Sequence, residues 1–143
     1  ILSTHLYSDG RYYDFLCADG GVGSTQTTGY IRMEGKEVFR HAVTNLSKVV
    51  DEALLANDLQ PDEIEWLVPH QANMRIMEGN AKKLKLPKER VVITISRHAN
   101  TAAASIPLAL AEAVADGRIK QGQLIMFNTM GAGFTWGAAV VRL

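Results

Sequence analysis

Three short apolar runs, Ile64–Val68, Val91–Ile95 and Leu124–Phe127, alternate with three stretches whose apolar residues recur every three or four positions. That alternation constrains the fold most, because strand-length runs separated by helix-period segments build crossover units on a shared sheet. The helical stretches are Gly35–Asn57, Gln71–Leu84 and Thr101–Ala115. In the first, Val38, Ala42, Leu46, Val49 and Ala53 form the stripe, and Glu34 and Glu37 stand in the first turn, where carboxylates suit the helix dipole. In the second, Met74, Met77, Ala81 and Leu84 read as core filling, with Lys82, Lys83 and Lys85 in the last turn. In the third the stripe is Ile106, Leu110 and Val114, and Asp116-Gly117 closes the helix. Pro107 lies too deep for a first-turn proline if Asn100 or Thr101 is the cap. Either that helix is kinked or its regular part starts near Ser105.

The β-branched run Val91–Ile95 reads as a buried strand. Gly131-Ala132-Gly133 reads as a tight loop, after which Phe134–Val141 forms the last strand. At the front, Ile1–Tyr7 is extended and Ser8-Asp9-Gly10 is a turn, so Tyr12–Ala18 is expected to return as the second arm of a hairpin. The Gly-, Ser- and Thr-rich stretch Asp19–Gly29 reads as a loop. It lacks the Gly-Lys-Ser/Thr ending of a phosphate-binding loop. The expected class is α/β, with helices packed on a mixed sheet.

A chain of 143 residues is most simply one domain. Its formal charge is zero and its pI about 7.1, which argues against a general nucleic-acid binder. No apolar run approaches the roughly 18 residues a membrane span needs, and no signal pattern opens the chain. Cys17 is the single cysteine, so no internal disulfide forms, and a cytoplasmic setting is expected. The chain opens at Ile1, without Met, directly in what reads as a strand, and we expect further sequence before it.

Two strand-to-helix junctions carry the chemistry. Val68-Pro69-His70-Gln71-Ala72-Asn73 and Arg97-His98-Ala99-Asn100-Thr101 each place a polar side chain where an apolar run gives way to a helix. In open α/β sheets ligands bind at that edge. The positive end of the following helix disfavours an imidazolium, so His70 is expected neutral and able to donate one hydrogen bond. Asn100 offers an amide NH2 at the second junction, and it also suits a helix cap. Together they are two donors for one carbonyl oxygen. Met130-Gly131-Ala132-Gly133-Phe134 adds a loop whose small residues let backbone N–H groups approach a ligand. His5, His41, His70 and His98 show no metal-ligand spacing, so no metal is expected. Cys17 has no helix start or basic neighbour in sequence to make it a nucleophile.

These three motifs, with Ala102-Ala103-Ala104-Ser105-Ile106-Pro107 and Thr135-Trp136-Gly137 extending them, resemble β-ketoacyl-acyl carrier protein synthase III. The likeness covers essentially the whole chain, residues 1–143, but only the C-terminal half of that enzyme; the N-terminal half is absent from this chain. It implies a thiolase-like fold in which two βαβαβαββ halves build five αβαβα layers, usually in a homodimer. The implied reaction is a decarboxylative Claisen condensation of an acetyl-type coenzyme A starter with malonyl-acyl carrier protein, initiating type II fatty acid synthesis. Coenzyme A thioester is then a substrate and no cofactor is expected.

By the same resemblance His70 and Asn100 are two members of a Cys-His-Asn set whose cysteine belongs to the N-terminal half. Cys17 does not match it. Asn73 resembles a residue on the pantetheine arm, Gly35 and Phe39 match positions lining its tunnel, and Ala132 matches one supplying an oxyanion N–H. Arg40, Arg75, Lys82 and Lys83 match a basic patch that docks acyl carrier protein. Two departures stand out: Ala132 replaces a glycine, and Met130 replaces an aromatic residue that bears on acyl preference. The competing readings are a related condensing enzyme for polyketide- or quinolone-type products and a non-catalytic carrier-protein-binding domain.

Overall fold

The computed structural model describes residues 1–143. Four strands form the main sheet: β1 (Ser3–Ser8), β4 (Trp66–Pro69), β5 (Leu124–Gly131) and β6 (Thr135–Arg142), in the order β1-β6-β5-β4. β4 and β5 run parallel, as a crossover connection requires, while β6 is antiparallel to both its neighbours. β2 (Leu16–Ala18) and β3 (Ile31–Met33) make a separate antiparallel pair. The helices are α1 (Gly35–Ala56), α2 (Met74–Lys83), the short α3 (Ile95–His98) and α4 (Ser105–Ala115).

Strand period two sorts side chains onto the two faces of the sheet. Leu67, Leu124, Met126, Ala138 and Val140 join the α1 stripe of Ala42, Leu46, Val49, Val50 and Ala53, with Ile76 and Ala81 of α2, in the larger core. Val68 and Ile125, one residue out of phase, pack with Val92, Ala109, Ala113 and Ile119 under α4. Each fully buried Leu, Ile or Met here contributes about 1.5–3 kcal/mol relative to exposure. The mixed sheet, its strands from β4 onward and the long α1 follow the expectation from sequence.

Four local expectations are corrected. Tyr12–Ala18 does not return on β1 as a hairpin arm; only Leu16–Ala18 is extended, and it pairs with β3. Gly10–Phe15 winds as a 3-10 turn capped by Asp9, whose carboxylate accepts from the Arg11 N–H at 3.1 Å. Tyr12 and Phe15, three apart and hence on one side of such a turn, pack on His41 and Phe134. β1 pairs instead with β6.

Val91–Ile95 is not a strand either. Only Val91 bridges to β4, at Leu67, and the chain then turns into α3. α2 starts at Met74 rather than Gln71, because Asn73 caps it by accepting from the Arg75 N–H at 2.9 Å. In α4 the fully buried side is Ala109 and Ala113, while Val114 is exposed. Its regular part begins at Ser105 after a 3-10 turn, Ala102–Ala104, which accommodates Pro107 in the first turn.

The glycine-rich loop closes on itself. Asp19 and Tyr30 pair through backbone and side chain at its base, and a Cβ on Gly29 would lie 2.3 Å from the Gly20 nitrogen. Those two glycines are therefore required by close backbone contact. No helix of the chain is long and apolar enough to cross a membrane.

Candidate active site

β4 ends at Pro69, which has no N–H to continue the ladder, and the chain turns out of the sheet at His70. The His70 N–H still donates to the Asn128 carbonyl of β5 at 2.9 Å, so the backbone under the ring is anchored. The ring is half-buried. Its Nδ1 lies 2.6 Å from the Ser105 hydroxyl at the start of α4, and its Nε2 has no protein partner yet is not sealed in. Burial holds the His70 pKa below the usual 6.5. Burial thus favours the neutral ring, and the cause is desolvation rather than a helix end, since α2 begins only four residues further on.

Asn100 does not stand at a strand end. It follows α3 and sits between two residues with positive φ, Ala99 (56°) and Ala102 (50°). Its side-chain oxygen accepts from the Ala102 N–H at 3.0 Å. Asn73 makes the same kind of turn with Arg75. In both, the oxygen is committed to backbone, which leaves the NH2 end as the donor available to a ligand.

His70, Asn73 and Asn100 line one cavity of about 410 Å³. Gly35 and Phe39 of α1 line it as well, as do Met33, Ile76 and Met130. His70 and Met130 also border a second cavity of about 600 Å³, between Ala102, Ala103 and the ends of β1, β5 and β6. A half-buried imidazole and two oriented carboxamides therefore line one largely apolar cavity.

The remaining site expectations fall in different places. Ala132 lies at the exposed β5–β6 turn and borders neither cavity. It keeps an ordinary negative φ, so replacing glycine there introduces no strain, whereas Gly133 has φ of 130°. Arg40, Arg75, Lys82 and Lys83 are all exposed on α1 and α2. Arg40 is paired with Glu37 at 2.7 Å and Lys83 with Asp51 at 2.8 Å, while the Arg75 guanidinium stacks on Phe39 at the cavity wall. Cys17 does have a basic neighbour across the β2–β3 pair, Arg32, but that guanidinium is bound to Asp19. No group of three or more His, Cys, Asp or Glu is placed to hold a metal ion.

Four residues of the site were not singled out from sequence. Gln71 is fully buried and hydrogen-bonds to four backbone groups around the two junctions. Ser105 contacts His70. Asn80 and Asn128 are buried at the cavity wall, with the Asn80 NH2 3.4 Å from the Asn128 oxygen. A polar residue in an otherwise apolar stripe, as Asn80 is in α2, is the one signal that was available.

The fold superposes on solved structures. The crystal structure of 3-oxoacyl-acyl-carrier-protein synthase III from Aquifex aeolicus matches with a TM-score of 0.93 and 43% identity, over 100% of this chain and 44% of that one. The sheet and its flanking helices are thus those of a thiolase-like α/β domain. Residues 54–143 match the sequence family described as 3-oxoacyl-acyl-carrier-protein (ACP) synthase III C terminal. The chain belongs to that family. Beta-ketoacyl-acyl-carrier-protein synthase III from Paramagnetospirillum magneticum is 66% identical over 143 residues, and that from Rhodospirillum centenum 63% over 142. Each comparison takes in 99–100% of this chain and 44% of the relative, so the chain spans less than half the length of these curated proteins.

Proposed function

We propose that this chain is the C-terminal half of a β-ketoacyl-acyl carrier protein synthase III and carries its decarboxylating donors. The observation that carries the reading is that His70 and Asn100, from separate junctions, line one cavity. The Asn100 oxygen is tied to backbone, so its N–H end is the one left for a ligand.

The substrate is a malonyl thioester on acyl carrier protein. Its carboxylate leaves as CO2, and the electron pair of the broken C–C bond passes into the thioester as an enolate. Hydrogen bonds from the His70 imidazole and the Asn100 amide receive the charge that builds on the carbonyl oxygen. Each such donor is worth about 10²–10³ in rate. The enolate carbon then attacks an acyl group held as a thioester on a cysteine of the N-terminal half, and that cysteine leaves as thiolate. The acyl group comes from coenzyme A, which needs no resident cofactor.

Asn73, Gly35 and Phe39 line the path of the pantetheine arm, and Ala132 supplies a backbone N–H to the acyl-cysteine oxyanion. Arg40, Arg75, Lys82 and Lys83 meet the acidic carrier protein. The exposed apolar residues Leu2 and Leu6 of the β1 side and Leu108 and Val114 of α4 suit burial against the N-terminal half. The assembled enzyme is a cytoplasmic homodimer.

The test is malonyl-acyl carrier protein decarboxylation by the protein as its gene encodes it. His70→Ala and Asn100→Ala should each lower the rate at least about 100-fold. An undiminished rate in either variant rejects the assignment of that residue.

A further inference from the structure

Ser105 opens α4, 35 residues from His70 in sequence, and its side chain is 1% exposed. Its oxygen has two neighbours within hydrogen-bonding distance: the Gln71 N–H at 3.2 Å and the His70 Nδ1 at 2.6 Å. A hydroxyl has one proton to give and two lone pairs to offer. The Gln71 N–H can only donate, so it takes one lone pair. The hydroxyl proton then has a single acceptor in reach, the Nδ1 lone pair. The opposite arrangement, with Nδ1–H donating to the oxygen, leaves a proton inside the protein without an acceptor, which is unfavourable.

We propose that Ser105 is a positioning residue that holds His70 as its Nε2–H tautomer, leaving Nε2–H as the free donor of the ring. The proposal rests on the function argued above. It adds that the competence of the imidazole as a donor is set from α4, by a residue that touches no substrate. Ser105 is itself well placed for this. The 3-10 turn Ala102–Ala104 leads into it, and its own N–H donates to the Ala102 carbonyl. The same short segment, residues 100–105, thus presents the Asn100 amide and fixes the His70 ring. The neutral state of the ring agrees with its burial.

The experiment is ¹⁵N NMR of the protein as encoded, labelled at histidine, with His70 assigned by difference against His70→Gln. In the unmodified protein at neutral pH, Nδ1 should show the shift of an unprotonated, hydrogen-bonded ring nitrogen and Nε2 that of a protonated one. In Ser105→Ala both shifts should move toward averaged values. The kcat for malonyl-carrier-protein decarboxylation should fall about ten-fold, the loss of one buried neutral hydrogen bond, with KM within about two-fold. Ser105→Thr, which keeps the hydroxyl, should recover most of that loss. A protonated Nδ1 in the unmodified protein overturns the proposal, and this measurement needs no variant to fold. Unchanged shifts in Ser105→Ala overturn it too. Full activity in His70→Ala would instead reject the donor role of His70, an outcome separate from the tautomer the spectrum reports.

Discussion

The Gln71 side-chain oxygen accepts the backbone N–H of Thr94 at 2.8 Å and of Ile95 at 3.1 Å, while its nitrogen donates to the Pro69 and Val92 carbonyls at 3.0 Å each. One buried carboxamide thereby substitutes for the strand pairing that Val91–Ile95 does not complete, and it joins the His70 junction to the segment that carries Asn100. Gln71→Ala would leave up to four buried backbone groups unsatisfied. We expect a loss of about 3 kcal/mol in unfolding free energy, read from the urea midpoint at unchanged slope. A loss below about 1 kcal/mol would show that the staple is dispensable.

The depressed pKa of His70 has a definite sign. In the unfolded chain the imidazole takes up a proton near 6.5, whereas in the folded protein burial delays uptake to lower pH. Protonation therefore favours unfolding, and this contribution to stability is present above pH 6.5 and lost as pH falls through the folded value. The neutral donor persists across that window. The kcat for decarboxylation should stay level from neutral pH down to 6.5, with its acid limb lower. A limb at or above 6.5 in the pH–rate profile would contradict the burial argument.

How far the sequence could be read depended on the range of the interaction. Strand and helix periods are local, so β4, β5, β6 and α1 were legible, while for α4 the depth of Pro107 left a kinked helix and a start near Ser105 both open. Tyr12–Ala18 follows a turn signal and is rich in apolar residues, which suits an extended arm, while the i, i+3 pair Tyr12 and Phe15 answers to His41 and Phe134, residues distant in sequence. Val91–Ile95 has strand propensity, but the N–H groups of Thr94 and Ile95 are taken by Gln71. His70 and Asn100 were visible as polar residues at element ends. Ser105 and Gln71 were not, because each acts through a partner more than 20 residues away.

The four basic residues proposed for carrier docking differ in how free they are. Arg40 and Lys83 are neutralised by Glu37 and Asp51, whereas Arg75 and Lys82 have no carboxylate within ion-pair distance. Removing an exposed paired cation changes little. Arg75→Ala and Lys82→Ala should raise KM for the carrier protein about two- to five-fold at low ionic strength, with Arg40→Ala and Lys83→Ala below two-fold. At about 0.5 M salt the difference should disappear, because screening shortens the reach of these charges. Equal effects of all four at low salt would contradict the ranking.

Ala99 precedes Asn100 with φ 56° and ψ −161°, a region that glycine occupies freely and a residue with a Cβ does not. Such a conformation costs about 1–3 kcal/mol, and here the neighbours impose it. The Ala99 N–H donates to Ile95 at 2.9 Å, closing α3, and the Asn100 oxygen is held by Ala102. Ala99→Gly removes the strain but gives the unfolded chain more freedom, an opposing effect of about 0.4–1 kcal/mol. The net gain should be about 1 kcal/mol, or roughly 2–4 °C in Tm for a domain near this size. Because the Asn100 amide is oriented by Ala102 and not by the Cβ of Ala99, the decarboxylation rate should stay within about two-fold. A lower Tm would mean that the methyl group of Ala99 contributes packing that outweighs its strained backbone.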